Sequence, residues 1–211
     1  MADAYTTDDG TRGTRTPASA PNQQPERSSS APTPEPTSAP APAPAPAPEI
    51  ATLLACLRDQ RRHVLGILDG LDEEALRRPV LPSGWSSLGL VRHLALDVER
   101  FWFRAVFLGD TDVIRSLDGI GDAWQVPAGA SPSDILGTYL VETERADSVI
   151  AAASSADAAL AWWPSHLFGD GWRHHTLRDL LLHVITETAC HAGHLDAARE
   201  LIDGRRWLVI T

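Results

Sequence analysis

Four residues near the C-terminus have the types and the spacing to do chemistry: His183, Glu187, His191 and His194, within TLRDLLLHVITETACHAGHLDAARELID from Thr176 to Asp203. An α-helix advances about 100° per residue. With His183 at zero, Glu187 falls at about 40°, His191 at about 80° and His194 at about 20°, a single narrow stripe. The apolar residues Leu177, Leu180, Val184, Ile185, Ala192 and Leu195, with Thr188, fill the arc from about 60° to about 200°. Glu187 and His191 therefore lie closest to the face that must be buried, with His183 and His194 on its shoulder. A carboxylate and an imidazole aimed at a core need a partner that stabilises them there, and a metal ion is the simplest one.

A second stretch carries a matching pair. In LGLVRHLALDVERFWFRAVFL, from Leu88 to Leu108, His93 sits at the edge of an apolar face, and Asp97 follows one turn later. Alone, a histidine in that position is more often a hydrogen-bonding group at a helix interface. Together with Glu-x-x-x-His on the last helix it makes three ligands, and three ligands with an open fourth position is the arrangement of catalytic zinc.

Other assignments stay open at this level. His191 and His194 can act as an i,i+3 pair with His93, leaving Glu187 as a base outside the ligand set. His183 then serves as a hydrogen-bond partner or proton shuttle. His174 and His175 precede the helix and read as surface or loop residues. Cys190 is rotated about 100° from His191 and is discounted as a ligand; Cys56 reads as a core thiol. Neither a nucleophile elbow nor a glycine-rich phosphate loop is present.

The elements that must position these groups are helical. Ile50 to Leu71 repeats apolar residues at Leu53, Leu54, Leu57, Leu65 and Leu68, a helical period. Ser86 and Ser87 supply N-caps for the helix over 88–108. Ser131-Pro132-Ser133-Asp134 starts a third helix, from about Pro132 to Ala153. Thr176 with Asp179 three positions on forms a capping-box-like start for the fourth, and Gly204 ends it. Two long connections, 109–130 and 154–175, join the helices; the first reads as irregular, with Trp124 plugging it down. Loops of that length inside a compact domain are often functional. The expected fold is all-α, a four-helix bundle over residues 50–211, with the apolar tail Trp207 to Ile210 docking on it.

Residues 1–49 are different in kind. They hold 11 of the 16 prolines and almost no aliphatic side chains. Such a segment cannot bury enough surface to offset its ordering entropy and reads as a disordered Ala/Pro-rich spacer. The net charge of −10 argues against nucleic acid or an anionic membrane surface as partner, and all 18 basic residues are arginine. No apolar run approaches the roughly 20 residues of a membrane span. Two cysteines and no secretory signal point to a reducing cytoplasm.

GWSSLGLVRHLALDVERFWFR, followed some distance on by TLRDLLLHVITETACHAGHLDAARELIDG, resembles the DinB-like metalloprotein superfamily over roughly residues 50–210. Within it the chain is similar to the mycothiol-dependent branch, which contains maleylpyruvate isomerase and mycothiol S-transferases. Many superfamily members carry His-x-x-x-His on the last helix; the isomerase type has Glu-x-x-x-His, as here. The resemblance implies His93, Glu187 and His191 as ligands of a divalent metal, zinc above others, in a four-helix bundle that is often a homodimer. It implies a reaction in which a mycothiol-type thiol attacks a small electrophilic substrate: an activated double bond, an epoxide or a halide. A dicarboxylate substrate needs basic groups, and Arg104, at about 20° on the His93 wheel, is the first candidate. His194, His183 and Asp97 are the candidate acid–base residues. The competing readings are a metal-binding bundle without catalysis and a plain helical interaction domain.

Overall fold

The computed structural model describes residues 46–169 and 171–207, all within one compact unit. Most of the Pro-rich N-terminal segment and the apolar end Leu208 to Ile210 lie outside these residues. Helix α1 runs Pro48–Leu68, with proline in its first turn, where a missing N–H costs nothing. It begins two residues before the start expected from periodicity. The short helix α2 (Glu73–Arg77) is capped by Asp72, and α3 (Ser87–His93) by Ser86, which accepts the Gly89 N–H at 3.1 Å.

At Leu94 the helix changes its winding. Leu94–Phe107 is a π-helix, its ladder made of i→i+5 bonds. At its end the amides of Ala161 and Trp162 donate to the carbonyls of Phe107 and Val106, both at 3.1 Å, so the second long loop satisfies acceptors the helix leaves free. The first long loop is not wholly irregular: it contains α4 (Thr111–Ser116) and a 3₁₀ turn, Leu117–Gly119. Helix α5 (Pro132–Ala151) and helix α7 (Leu177–Asp203) both start with full capping boxes, Ser131 with Asp134 and Thr176 with Asp179. The single turn α6 (Ser165–Phe168) lies in the second loop. Gly204, at φ 79°, closes α7 in the left-handed conformation that glycine adopts without steric cost.

Four long helical stretches thus form the bundle: α1, α3 with its π continuation, α5 and α7. Among the described residues there is no strand, only an isolated bridge between Ala159 and Thr176. Helix α1 packs on α7, and the π segment packs on α5. The core includes Leu57, Leu90, Phe103, Tyr139, Leu180 and Leu181, all fully buried. Cys56, expected inside, is exposed, because it falls on the outer face of α1. No described helix is long and apolar enough to cross a membrane.

Candidate metal centre and its cavity

Helix α7 presents Glu187 and His191 toward the end of α3, where His93 is the last residue before the winding changes. His93 Nε2 lies 3.7 Å from Glu187 Oε1, and His191 Nε2 lies 4.0 Å from the same oxygen. One donor atom from each residue falls within 4.8 Å of the others. Nitrogen and oxygen donors on one tetrahedral zinc sit about 3.3–3.5 Å apart, so the triad fits a cation once the two imidazoles draw in, by a few tenths of an ångström toward Glu187 and by roughly an ångström toward each other.

The surroundings orient each donor. Asp97 Oδ2 lies 2.9 Å from His93 Nδ1, which makes Nδ1 the protonated nitrogen and leaves Nε2 facing Glu187. His183 Nε2 lies 3.0 Å from Glu187 Oε2, within ion-pairing distance but not aligned as a hydrogen bond, while Oε1 faces the two imidazoles. Trp124 stacks on His93 at 4.2 Å between centroids and meets the His191 ring edge-on at 5.5 Å. His191 Nδ1 is buried with no hydrogen-bond partner.

Burial disfavours a charged His93, yet the hydrogen bond to Asp97 and the negative charges of Asp97 and Glu187 outweigh it and raise its pKa to about 9. Burial would raise Glu187, but His183 and His93 pull it down to about 2. His191 is lowered to about 4, by burial first and then by the charge on His93. The site therefore holds one carboxylate and one neutral imidazole around a position that, without a metal, only a proton on His93 balances.

The loops complete the site. Arg92 donates to the carbonyls of Asp122 at 2.9 Å and Gln125 at 3.1 Å, drawing the first loop over α3. Gly89 allows that approach: a Cβ there would sit 2.2 Å from the Trp124 carbonyl oxygen. Beside the triad opens a cavity of about 400 Å³. His93, Asp97, His183 and Glu187 form its polar wall. Phe101 and Trp102 of the π segment, Leu117, Ile120 and Gly121 of the first loop, and Leu167, Phe168 and Trp172 of the second form the rest.

Of the residues that sequence spacing marks, the structure gathers His93, Asp97, His183, Glu187 and His191. His194 is exposed, 5.6 Å from the His191 ring and beside Trp85, and it does not line the cavity. Arg104 does not line it either; its guanidinium is held by Asp110 at 2.8 Å and Glu142 at 3.2 Å. The reason is the winding. Over the eleven residues from His93, an i→i+5 ladder falls behind the α count by roughly 15° per residue, about half a turn in all. His174, read as a surface or loop residue, is half-buried with its Nε2 enclosed and unpartnered, 4.9 Å from the His183 ring and 5.6 Å from that of Trp102. It precedes the helix, so helical spacing could not find it. Cys190 is exposed and free.

The family model described as mycothiol-S-transferase matches residues 52–204, from the first turn of the bundle to the glycine that ends it. The chain belongs to the mycothiol S-transferase family. The match spans the whole bundle and so takes in His93, Glu187, His191 and both cavity loops. No curated protein and no solved structure matches the chain.

Proposed function

We propose that this protein is a divalent-metal-dependent S-transferase that joins a mycothiol-type thiol to a small electrophile. His93, Glu187 and His191 hold the metal, zinc being the simplest choice for a mixed nitrogen and oxygen donor set. A bound cation of this kind lowers the pKa of a thiol and favours the thiolate, the nucleophilic form. The observation that carries this reading is the convergence of three donors within 4.8 Å beside an open cavity, in a chain of this family.

The chain's own groups do the rest. Asp97 and His183 fix the donor atoms of His93 and Glu187, and both face the cavity, where they are the acceptors for the thiol proton. Trp124 packs against the rings of His93 and His191 and covers that side of the triad. The apolar wall holds the electrophile against the sulfur, which raises effective concentration more than any single contact does. With an aryl halide, the sulfur–carbon bond forms, the halide leaves with its electron pair, and the thiol proton passes to the wall and then to water. The reducing cytoplasm, where such thiols persist, suits the free Cys56 and Cys190.

The test is thiol consumption by the zinc-loaded protein with mycothiol and 1-chloro-2,4-dinitrobenzene. Turnover that falls at least 100-fold in His191→Ala supports the reading. Full metal occupancy with no thiol consumption above the His191→Ala background rejects it and leaves a metal-binding module without catalysis.

A further inference from the structure

We propose that the cavity beside Glu187 selects an apolar, ring-bearing electrophile of one or two rings and rejects dicarboxylates. This rests on the S-transferase reading for the word electrophile, but the selectivity of the cavity is a property of its walls alone.

Three observations converge on it. The first is charge. Among the described residues, every ionisable group lining the cavity is an imidazole or a carboxylate: His93 and His183, Asp97 and Glu187. No arginine is among these described lining residues. Arg104 is taken by Asp110 and Glu142, Arg92 by loop carbonyls, and Arg100 donates to Ser116 Oγ at 2.7 Å. A dianion entering here would leave water to meet two carboxylates and no guanidinium, and the His93 imidazolium already faces both of those carboxylates, so the incoming charges would lack free partners, which is strongly disfavoured.

The second is shape and surface. Trp102 and Phe168 stack at 5.6 Å with their planes 15° apart, and Phe101 and Trp172 meet Phe168 edge-on at 6.2 and 5.7 Å. These faces and edges match the geometry by which aromatic groups pair. A dry apolar cavity of roughly 150 Å³ is enough for benzene; about 400 Å³ therefore leaves room for two fused rings or for one ring bearing a leaving group.

The third is the mouth. Leu167, Phe168 and Trp172 are 58%, 40% and 47% exposed, far more than apolar residues packed into the core. They all belong to the second loop and run without a break into the cavity wall. An exposed apolar rim that continues into a pocket is the usual sign of an apolar ligand's path.

Binding separates this proposal from catalysis. Full-length protein, once as purified and once after chelation, is titrated calorimetrically with 2-naphthol and with maleate in the absence of thiol. The expected result is 2-naphthol binding at least tenfold tighter than maleate in the chelated protein, where no metal can attract a carboxylate. Phe168→Ala, at a position 40% exposed on the cavity wall, weakens 2-naphthol at least threefold. Ile120→Arg weakens 2-naphthol and strengthens maleate. Maleate binding as tightly as 2-naphthol to the chelated protein, or Phe168→Ala leaving 2-naphthol unchanged, overturns the proposal. If 2-naphthol binds as stated but 1-chloro-2,4-dinitrobenzene consumes no thiol, the S-transferase reading fails while the assignment of the cavity stands.

Discussion

Two polar clusters are built on the same π segment, and they are solved in opposite ways. Toward α1 and α5, Arg61 grips Glu99 with two hydrogen bonds, at 2.7 and 2.6 Å, and reaches Asp147 at 2.5 Å. Arg58 completes Asp147, while Arg104 and Arg145 close Glu142, and Arg104 also closes Asp110. Four arginines face four carboxylates, so the cluster is neutral without help. Toward α7, Asp97 and Glu187 meet only imidazoles, and Glu187 Oε1 has its two neighbours at 3.7 and 4.0 Å, too far for hydrogen bonds. A buried carboxylate closed by a guanidinium is a finished structural element. One left with imidazole nitrogens converging at a distance can take a cation.

The largest expected effect lies in the closed cluster. Arg61→Ala leaves Glu99, 1% exposed, as an uncompensated buried charge, and is expected to destabilise the fold by about 3–5 kcal/mol. Urea unfolding of the metal-free protein measures it. A loss below about 1 kcal/mol would erase the distinction between the two clusters.

Glu187→Ala is the matching change in the open cluster. The metal-free variant should lose about 1–2 kcal/mol, less than the closed cluster, since Glu187 gives up only its partly solvent-screened attraction to His183 and His93. The difference appears on adding zinc. At a thousandfold excess over its dissociation constant, the metal stabilises the parent by about 4 kcal/mol, and the variant should gain nothing. A thermal shift series with and without zinc reads both.

Gly89→Ala tests how the cover over the triad is held. Its new Cβ would meet the Trp124 carbonyl oxygen at 2.2 Å, a backbone atom that cannot turn aside. The expected cost is about 1–3 kcal/mol, read by urea unfolding. Asp97→Asn is the mildest. It removes the charge that orients His93, and zinc affinity should fall by about 10–100-fold with little change in unfolding. Competition against a chromogenic chelator gives that number.

The convergence of His93, Glu187 and His191 was legible because a helix places i and i+4 on one face, and both donors of α7 lay beside its apolar stripe. The helix ends were legible for the same local reason: Ser86, Ser131, Thr176 and Gly204 each act within four residues of their own position. The π winding was not. Leu94–Phe107 shows an ordinary apolar pattern, and at Asp97, four residues from His93, both windings give the same face. Only at Arg104 has the discrepancy grown to half a turn, which is why that arginine faces Glu142 instead of the cavity. Nor could the closed cluster be read: Arg61 meets Glu99 across 38 residues and Asp147 across 86, and nothing local distinguishes such arginines from solvated ones. The aromatic wall and the place of His174 come from two loops, whose paths are set by contacts such as Arg92 with the carbonyls of Asp122 and Gln125.

The most direct measurement is an anomalous-difference map from crystals of the full-length protein grown with zinc, collected on both sides of the zinc absorption edge. One strong peak is expected about 2.0–2.2 Å from His93 Nε2, Glu187 Oε1 and a nitrogen of His191, vanishing below the edge. A map with no peak among those three side chains, or with the zinc held elsewhere on the protein, would contradict the triad as the metal site.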